Sequence, residues 1–322
     1  QMNKKTFLAT HKIISKVIFN TPLIYDEYIS KKMSANIFYK AESLQRTGSF
    51  KIRGAYNFLY NLSEKYKKNG VLAWSSGNHA QGVAEASRLF NVESTIVMPK
   101  DAPKNKIKGT LDRGAKVIFY DRKKENREEI GANIAVEKKY KIIPPYDNPL
   151  IIYGQGTIGI EIETQLNTYK LTPDNILVPT GGGGLIAGIA SYIKNKYNNA
   201  KIYSVEPNGF SDHLNSLKEG KRIKNKNSKN SICDALLANQ PGKITFDINK
   251  KLLHKGLVVE DNSVLKAMHY ALTNLGLVLE PGGAIALAAL LEKKIPVKGK
   301  TIIVILTGSN VEKKLLQKVF SI

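Results

Sequence analysis

One lysine stands at the start of a predicted amphipathic helix, where a cation is least expected. In the stretch RTGSFKIRGAYNFLYNL, Ile52, Ala55 and Leu59 recur at three- and four-residue steps, which predicts a helix packed on a core and ending at Gly70. Lys51 falls in the first turn, where the helix dipole favours an anion. Either Lys51 is a solvated lysine of a lysine-rich chain, or its amine has a chemical role.

A run of glycines could bind a phosphate group. The apolar run NILVP is followed by four glycines and then by an apolar helical run. The glycines are Gly181, Gly182, Gly183 and Gly184. Amides without side chains at a helix N-terminus form an anion site, although the stretch matches neither a Walker sequence nor a dinucleotide-binding fingerprint. A flexible glycine loop is the structural alternative.

A second loop of the same kind carries hydroxyl and amide groups. The residues Ser75, Ser76, Gly77 and Asn78 follow the run VLAW and precede a helix that begins near His79. Such a loop suits a carboxylate, and simple helix capping is the alternative. Together, a lysine, a phosphate cradle and a carboxylate cradle predict a lysine-bound phosphate cofactor acting on a carboxylate substrate. Pyridoxal 5′-phosphate meets all three requirements.

Six motifs extend this interpretation to nearly the whole chain. GSFKIRGA, SSGNHAQG, GQGT, GGGGLIAG, EPGGAIALAAL and LTGSN resemble, in order and spacing, the serine/threonine dehydratase and serine racemase family of fold-type II pyridoxal-phosphate enzymes. The resemblance implies an α/β fold of the tryptophan synthase beta-like type, with two open parallel-sheet lobes and the cofactor between them.

The resemblance also implies roles for single residues. It assigns cofactor binding to Phe50, Lys51, Asn78, Gly181, Gly182, Gly183, Gly184, Glu280 and Thr307. Lys51 would hold the cofactor covalently and then act as the base that removes the α-proton. Thr307 would face the pyridine nitrogen, or Ser309 if the register differs by two. Glu280 is either an acid near the cofactor or a helix cap.

Substrate residues are implied in the same way. The substrate carboxylate would bind Ser75, Ser76, Gly77 and His79. Ser76 also stands where the racemases of this family place a second proton donor, which makes it a candidate catalytic residue beside Lys51. Arg127 either faces the substrate, where it would pair with a distal carboxylate, or lies on a helix surface.

A cation site is implied by the stretch SVEPNGFSDHL. In metal-binding relatives the corresponding ligands are a glutamate, a main-chain carbonyl and an aspartate, here Glu206, Phe210 and Asp212. Oxygen ligands suit Mg²⁺ or Ca²⁺. Solvated carboxylates are the alternative interpretation.

The leading functional hypothesis is dehydration of L-threonine or L-serine to a 2-oxo acid and ammonia. Serine racemisation and 3-hydroxyaspartate dehydration share nearly every motif. A basic, non-enzymatic binding protein is the alternative from another class, because the net charge is +22. The lysines are scattered and no nucleic-acid-binding motif stands out, so we expect an amino-acid substrate and no nucleic-acid partner.

The elements that position these residues alternate between β-rich and helical runs, which predicts parallel sheets. With 322 residues, two lobes are expected. The break near Pro144 and Pro149 suggests a large domain of residues 1-69 and 148-322 with a small inserted domain of residues 70-147. We expect a cytoplasmic protein without a membrane segment, since no run is long and apolar enough to span a bilayer, and the resemblance implies a homodimer.

Overall fold

The computed structural model describes residues 2–75, 77–226 and 230–322. Ser76 lies outside the described residues, so both roles predicted for it remain predictions. The strands are β1 (Leu23–Tyr25), β2 (Asn36–Ala41), β3 (Val71–Trp74), β4 (Ser94–Pro99), β5 (Lys116–Tyr120), β6 (Lys141–Ile142), β7 (Asn175–Pro179), β8 (Lys201–Pro207), β9 (Lys255–Val259) and β10 (Thr301–Leu306).

Helices connect most of these strands. The α-helices are α1 (Lys4–Ile14), α2 (Glu27–Met33), α3 (Lys51–Tyr60), α4 (Glu64–Asn69), α5 (Asn78–Leu89), α6 (Lys104–Asp112), α7 (Arg127–Lys138), α8 (Pro149–Thr168), α9 (Gly184–Lys196), α10 (Asp212–Glu219), α11 (Lys243–Leu252), α12 (Asp261–Tyr270), α13 (Pro281–Leu291) and α14 (Lys313–Phe320). Short 3₁₀ segments cover Glu42–Leu44, Arg46–Gly48 and Asp234–Leu236, and a π-helical segment, Ala271–Leu275, follows α12.

The strands form two sheets that are almost entirely parallel. A six-stranded sheet has the order β1-β2-β10-β7-β8-β9, and a four-stranded sheet has the order β5-β4-β3-β6. Only the pairing of β1 with β2 is antiparallel among these strands. The predicted α/β fold with two parallel-sheet lobes is therefore confirmed.

The most apolar helix lies inside the large sheet's core. The first ten residues of α13, from Pro281, are buried, and the helix packs on β7, β8, β9 and β10. Its length is 11 residues. No helix in the described ranges is both long enough and apolar enough to cross a membrane.

The helix that begins at Lys51 is shorter than predicted. It ends at Tyr60, and a separate helix starts at Glu64 and ends before Gly70, where φ is 110°. The Asn61 side chain donates to the carbonyl of Asn57 at 2.8 Å. Asparagine side chains that bond to the backbone compete with helical hydrogen bonds, which the apolar spacing alone does not reveal.

Helix α8 touches two other helices backbone to backbone. A Cβ added at Gly154 would lie 2.6 Å from the Arg53 carbonyl oxygen in α3. A Cβ added at Gly156 would lie 2.7 Å from the carbonyl oxygen of Gly188 in α9. Any side chain at these positions would push the helices apart. The motif GQGT thus holds the start of α3 and the start of α9 at a fixed separation.

A buried ionic network links helices α3 and α8 to β2 and to the segment that follows it. The Arg53 guanidinium, fully buried, donates to Glu42 at 2.6 and 2.9 Å and to both carboxylate oxygens of Glu161 at 2.8 Å. The Lys40 ammonium donates to Glu161 at 2.7 Å. Burial opposes ionisation of Glu161, but Arg53, His11 and Lys40 together hold its pKa well below the usual range.

We expect Glu161→Gln to reduce the free energy of unfolding by about 3–5 kcal/mol, because Arg53 and Lys40 would lose a buried counter-charge. The matched control is Glu163→Gln, two residues along α8, whose partner Lys196 is exposed; it should cost about 1 kcal/mol or less. Chemical denaturation of both variants measures the difference.

The loss of stability at acid pH gives a second test of the role of Glu161. A carboxyl whose folded pKa is lowered adds stability above its unfolded pKa and loses it as the pH falls. Wild-type stability should therefore decline below about pH 4.3, the ordinary glutamate value, more steeply than that of Glu161→Gln. If Glu161→Gln and Glu163→Gln lose the same free energy of unfolding, and their stability depends on pH in the same way, the buried network does not have this stabilising role.

Candidate active site

A single cavity of about 230 Å³ gathers the predicted residues from both sheets. It lies beyond the carboxyl ends of β3, β7 and β10, where ligands bind in open parallel sheets. Of the predicted residues, its wall contains Phe50, Lys51, Ser75, Gly77, Asn78, His79, Arg127, Gly181, Gly182, Gly183, Gly184, Glu280 and Thr307. The metal candidates Glu206, Phe210 and Asp212 do not line it.

The Lys51 amine has a carbonyl partner and no carboxylate partner among the described residues. Its Nζ donates to the Pro145 carbonyl at 2.8 Å and lies 5.2 Å from the centre of the Phe50 ring. Burial lowers the pKa of Lys51 to about 8. A larger fraction of this amine is therefore neutral, and nucleophilic, near pH 7 than for an ordinary lysine.

The glycine loop is tightly packed from behind. A Cβ on Gly182 would lie 2.3 Å from the Tyr146 ring, and a Cβ on Gly183, where φ is +95°, would lie 2.5 Å from His213 Nε2. The interpretation of this stretch as a flexible loop is therefore wrong. Glycine is required here by close packing as well as by a left-handed backbone conformation.

Hydrogen bonds to the loop carbonyls orient its amides. The Gly182 carbonyl accepts from the Thr245 hydroxyl at 2.7 Å, and the Gly183 carbonyl accepts from the Asn249 amide at 3.3 Å. In a trans peptide the next N–H points the opposite way. The N–H groups of Gly183 and Gly184 thus point away from α11, which leaves them for an anion at the start of α9.

Asn78 and Glu280 form a buried pair on the cavity wall. Asn78 Nδ2 donates to Glu280 Oε1 at 2.5 Å, and Asn78 Oδ1 accepts from Asn310 at 2.9 Å. Glu280 Oε2 has no hydrogen-bond partner among the described residues, and burial raises the pKa of Glu280. Its backbone is the N-cap of α13, but its side chain makes no capping bond. Its carboxyl group belongs to the cavity rather than to a cap.

Two hydroxyl residues were candidates for contact with a pyridine nitrogen. Thr307 lies on the cavity wall, where its hydroxyl donates to the Gly282 carbonyl at 3.3 Å. The Ser309 hydroxyl donates to the Ser43 carbonyl at 2.9 Å, and Ser309 does not line the cavity. The geometry therefore favours Thr307 over Ser309.

Three of the residues predicted to hold a carboxylate, Ser75, Gly77 and His79, lie at the start of α5. Ser75 Oγ accepts from the Gly77 N–H at 3.1 Å, and His79 Nε2 donates to the Ile143 carbonyl at 2.9 Å. Burial, followed by the positive charge of Lys51, lowers the pKa of His79 to about 3, so the ring is neutral. Arg127 is exposed at the first position of α7 and still reaches the cavity wall.

Sequence reasoning missed several residues that line the cavity or support it. Tyr146 packs on the glycine loop, and Lys106 is buried against Gly77. No local motif marks either residue. Lys106 lies in a lysine-rich helix and Tyr146 in a connecting segment, so only the fold brings them to the site.

The metal candidates form a buried cluster apart from the cavity. Glu206, Asp212 and His213 place ligand atoms within 4.8 Å of one another. Glu206 accepts from the backbone N–H groups of His213 at 2.7 Å and Leu214 at 2.9 Å. Burial and the neighbouring Asp212 raise the pKa of Glu206. The interpretation of these carboxylates as solvated surface groups is therefore wrong.

Two atoms of this cluster are available to a ligand. Asp212 Oδ2 and His213 Nδ1 lie 3.7 Å apart, and neither has a hydrogen-bond partner among the described residues. The predicted third ligand is the carbonyl of Phe210, whose own N–H donates to the Pro207 carbonyl at 3.0 Å. His213 was not predicted, since its place beside two carboxylates depends on the start of α10.

Comparison with known proteins identifies the family. The sequence profile of the family described as pyridoxal-phosphate dependent enzyme matches residues 14–308. The chain is 38% identical to the L-threo-3-hydroxyaspartate ammonia-lyase of Saccharomyces cerevisiae, covering 94% of this chain and 91% of that protein. It is 35% identical to the L-threonine ammonia-lyase of Thermotoga maritima, and the match covers 96% of this chain and 76% of that protein.

A solved structure agrees with these relatives. Maize serine racemase superposes with a TM-score of 0.92 at 31% identity, covering 99% of this chain and 97% of that one. The predicted fold type and the predicted pyridoxal-phosphate family are thereby confirmed. The alternative of a non-enzymatic binding protein is replaced by an enzyme family.

The cavity suits the cofactor of this family. The outward-facing amides of the glycine loop suit its phosphate and the Lys51 amine suits its aldehyde. Glu280 Oε2, which has no hydrogen-bond partner among the described residues, suits a polar atom of its ring. When bound, this cofactor withdraws electrons from the α-carbon of an amino acid.

We expect Lys51 to capture pyridoxal 5′-phosphate with a rate that rises with pH up to about 8 and then levels off. The neutral amine is the nucleophile, and burial sets its pKa near that value. The measurement is the growth of the cofactor's visible absorption, followed by borohydride reduction and peptide mass mapping to Lys51. Lys51→Ala is the control. An adduct elsewhere, or a rate that still rises several-fold between pH 9 and pH 10, as for a lysine with an ordinary pKa, would refute this assignment.

Proposed function

We propose that this chain, which belongs to the pyridoxal-phosphate dependent enzyme family, is an ammonia-lyase that converts L-threonine or L-serine to a 2-oxo acid and ammonia. The observation that carries the proposal is the convergence, on one cavity, of the Lys51 amine, the glycine loop and the loop around Gly77. These groups supply a base, a phosphate site and a carboxylate site.

The roles of the chain's own residues follow from their positions. The substrate carboxylate binds at Gly77 and the start of α5, which places the α-carbon near Lys51. The Lys51 amine takes the α-proton, helped by its lowered pKa. The bond from the β-carbon to the hydroxyl oxygen breaks, and the oxygen takes up a proton and leaves as water; the phosphate of a bound cofactor would be an acid able to supply that proton. The released enamine hydrolyses to the 2-oxo acid and ammonia.

Arg127 favours a second candidate substrate. Its guanidinium reaches the cavity wall, while the neighbouring cavity residue Arg122 is already paired with Asp101 at 2.7 Å. Arg127 has no carboxylate partner within the described residues, and a cation in this position suits a substrate with a second carboxylate. The similarity to two L-threo-3-hydroxyaspartate ammonia-lyases, each 38% identical, points the same way. The second candidate is therefore 3-hydroxyaspartate.

Substrate choice is tested with one panel: L-threonine, L-serine, D-serine and the 3-hydroxyaspartate isomers, assayed for 2-oxo acid and for chiral inversion. We expect kcat/KM for 3-hydroxyaspartate to fall tenfold or more in Arg127→Ala, about 1.4 kcal/mol of transition-state stabilisation, with little change for threonine. Arg88→Ala, whose arginine pairs with Glu85 in α5, is the control.

The result also ranks the candidates. If 3-hydroxyaspartate exceeds threonine tenfold in wild type and Arg127→Ala abolishes that gap, the dicarboxylate replaces threonine as the substrate. Inversion of serine that Ser76→Ala removes would instead support racemisation, the third activity named among the relatives.

We also propose that Mg²⁺ or Ca²⁺ binds Glu206, Asp212 and the carbonyl of Phe210. The support is the buried Asp212 Oδ2, which has no hydrogen-bond partner among the described residues and lies beside a second buried carboxylate. Two buried acids close together are unfavourable, and a bound cation would relieve this. The site lies behind the glycine loop, because His213 touches both.

If this metal binds, millimolar Mg²⁺ or Ca²⁺ should raise the melting temperature of chelator-treated protein, since a ligand of the native state adds stability by mass action. Asp212→Asn should abolish the shift. Glu219→Gln, an exposed carboxylate at the other end of α10, should keep it. If neither cation changes the melting temperature of the wild-type protein, the proposed metal site is wrong.

We also propose a domain division, an assembly state and a location for this protein. The strands of the four-stranded sheet all fall within residues 70-147, which supports a small domain there and a large domain of residues 1-69 and 148-322. Phe19 and Leu44 are exposed apolar side chains, and the Phe19 N–H donates to the side chain of Gln45, the residue after Leu44; these exposed groups support a homodimer interface. We propose a cytoplasmic homodimer.

A further inference from the structure

A second lysine, Lys106, reaches the cavity from α6. Its side chain is buried, and its Nζ donates to Asp234 at 2.6 Å and lies 3.9 Å from Glu280 Oε2. Burial opposes its charge, but Glu280 and Asp234 raise the pKa of Lys106 above the ordinary value. Lys106 is therefore a permanent cation inside the cavity, unlike Lys51.

Gly77 is what allows this cation to reach the cavity. A Cβ on Gly77 would lie 2.6 Å from Lys106 Cδ and 3.1 Å from its Nζ. The lysine stem thus lies flat against the backbone of the loop at the start of α5. No larger residue fits at position 77 without displacing Lys106.

Two polar groups among the described residues of this loop are already paired within the protein. The N–H of Gly77 is taken by Ser75 Oγ at 3.1 Å, and the neutral His79 ring donates to the Ile143 carbonyl. A carboxylate arriving here would meet the dipole of α5 and the Lys106 ammonium. The Lys106 Nζ lies 3.1 Å from the position that a Cβ on Gly77 would occupy, so its positive charge lies directly beside this loop.

The partner of Lys106 can be released at low cost. The Asp234 side chain is 34% exposed, whereas Glu280 is buried. Water can therefore solvate Asp234 once the ammonium turns to another anion. The Lys106–Asp234 pair joins α6, beside the four-stranded sheet, to the 3₁₀ segment Asp234–Leu236.

From these contacts we propose that Lys106 determines specificity for the substrate's α-carboxylate: its ammonium is held by Asp234 and exchanges that partner for the carboxylate when the amino acid binds at Gly77. The inference rests on the proposed function, since it assigns the cation for that reaction's carboxylate site. It also predicts opposite effects for the two members of the ion pair.

The test uses the cofactor-loaded protein and two ligands that cannot eliminate. L-Alanine has the α-carboxylate, and L-alaninamide replaces it with a neutral amide. The change in cofactor absorption gives both dissociation constants. In Lys106→Met the preference for L-alanine over L-alaninamide should fall at least tenfold, and Lys106→Arg should restore part of it. Lys108→Met, an exposed lysine on the same helix, should match wild type.

Asp234→Asn is the second variant, and it keeps the proposal testable if Lys106→Met does not fold. Freed from its partner, the ammonium should bind L-alanine several-fold more tightly with no gain for L-alaninamide. An unchanged preference in Lys106→Met, or weaker L-alanine binding in Asp234→Asn, would overturn the inference alone. A wild-type protein that binds the cofactor but no amino acid would overturn the proposed function and this inference with it.

Discussion

The close contact of α8 with α3 and α9 is the constraint on which the site depends. Gly154 meets the backbone of α3 and Gly156 meets that of α9. Lys51 is the first residue of α3, and the glycine loop leads into α9. The spacing between the amine and the phosphate cradle is thus set by backbone contact, which is stiffer than packing through side chains.

The buried ion network also constrains the position of α3. Arg53 is two residues after Lys51 and is held by carboxylates from two other segments, Glu42 and Glu161. Such a network contributes little net stability compared with an apolar core, but it penalises every misplacement of its members. We infer that it fixes the rotation of α3, and with it the direction in which Lys51 points.

The sequence predicted those parts of the site that depend on local chemistry. The glycine loop and Lys51 were found because each contradicts an ordinary local preference: four glycines before a helix, and a cation in a first helical turn. Lys106, Tyr146 and His213 violate no local rule, and their positions arise from packing between segments far apart in the chain. The break after Tyr60 was missed for a similar reason, because apolar spacing does not register a side chain that bonds to the backbone.

The two lysines of the cavity, Lys51 and Lys106, have different chemical roles because their neighbouring groups differ. Lys51 has a carbonyl as its hydrogen-bond partner, so burial dominates and lowers its pKa to about 8. Lys106 is buried too, but it faces Asp234 and Glu280, which keep it charged. One amine can therefore lose its proton and serve as nucleophile and base, while the other cannot and serves as a counter-ion. Two lysines can therefore have different roles in one cavity, because carboxylates lie beside Lys106 and not beside Lys51 among the described residues.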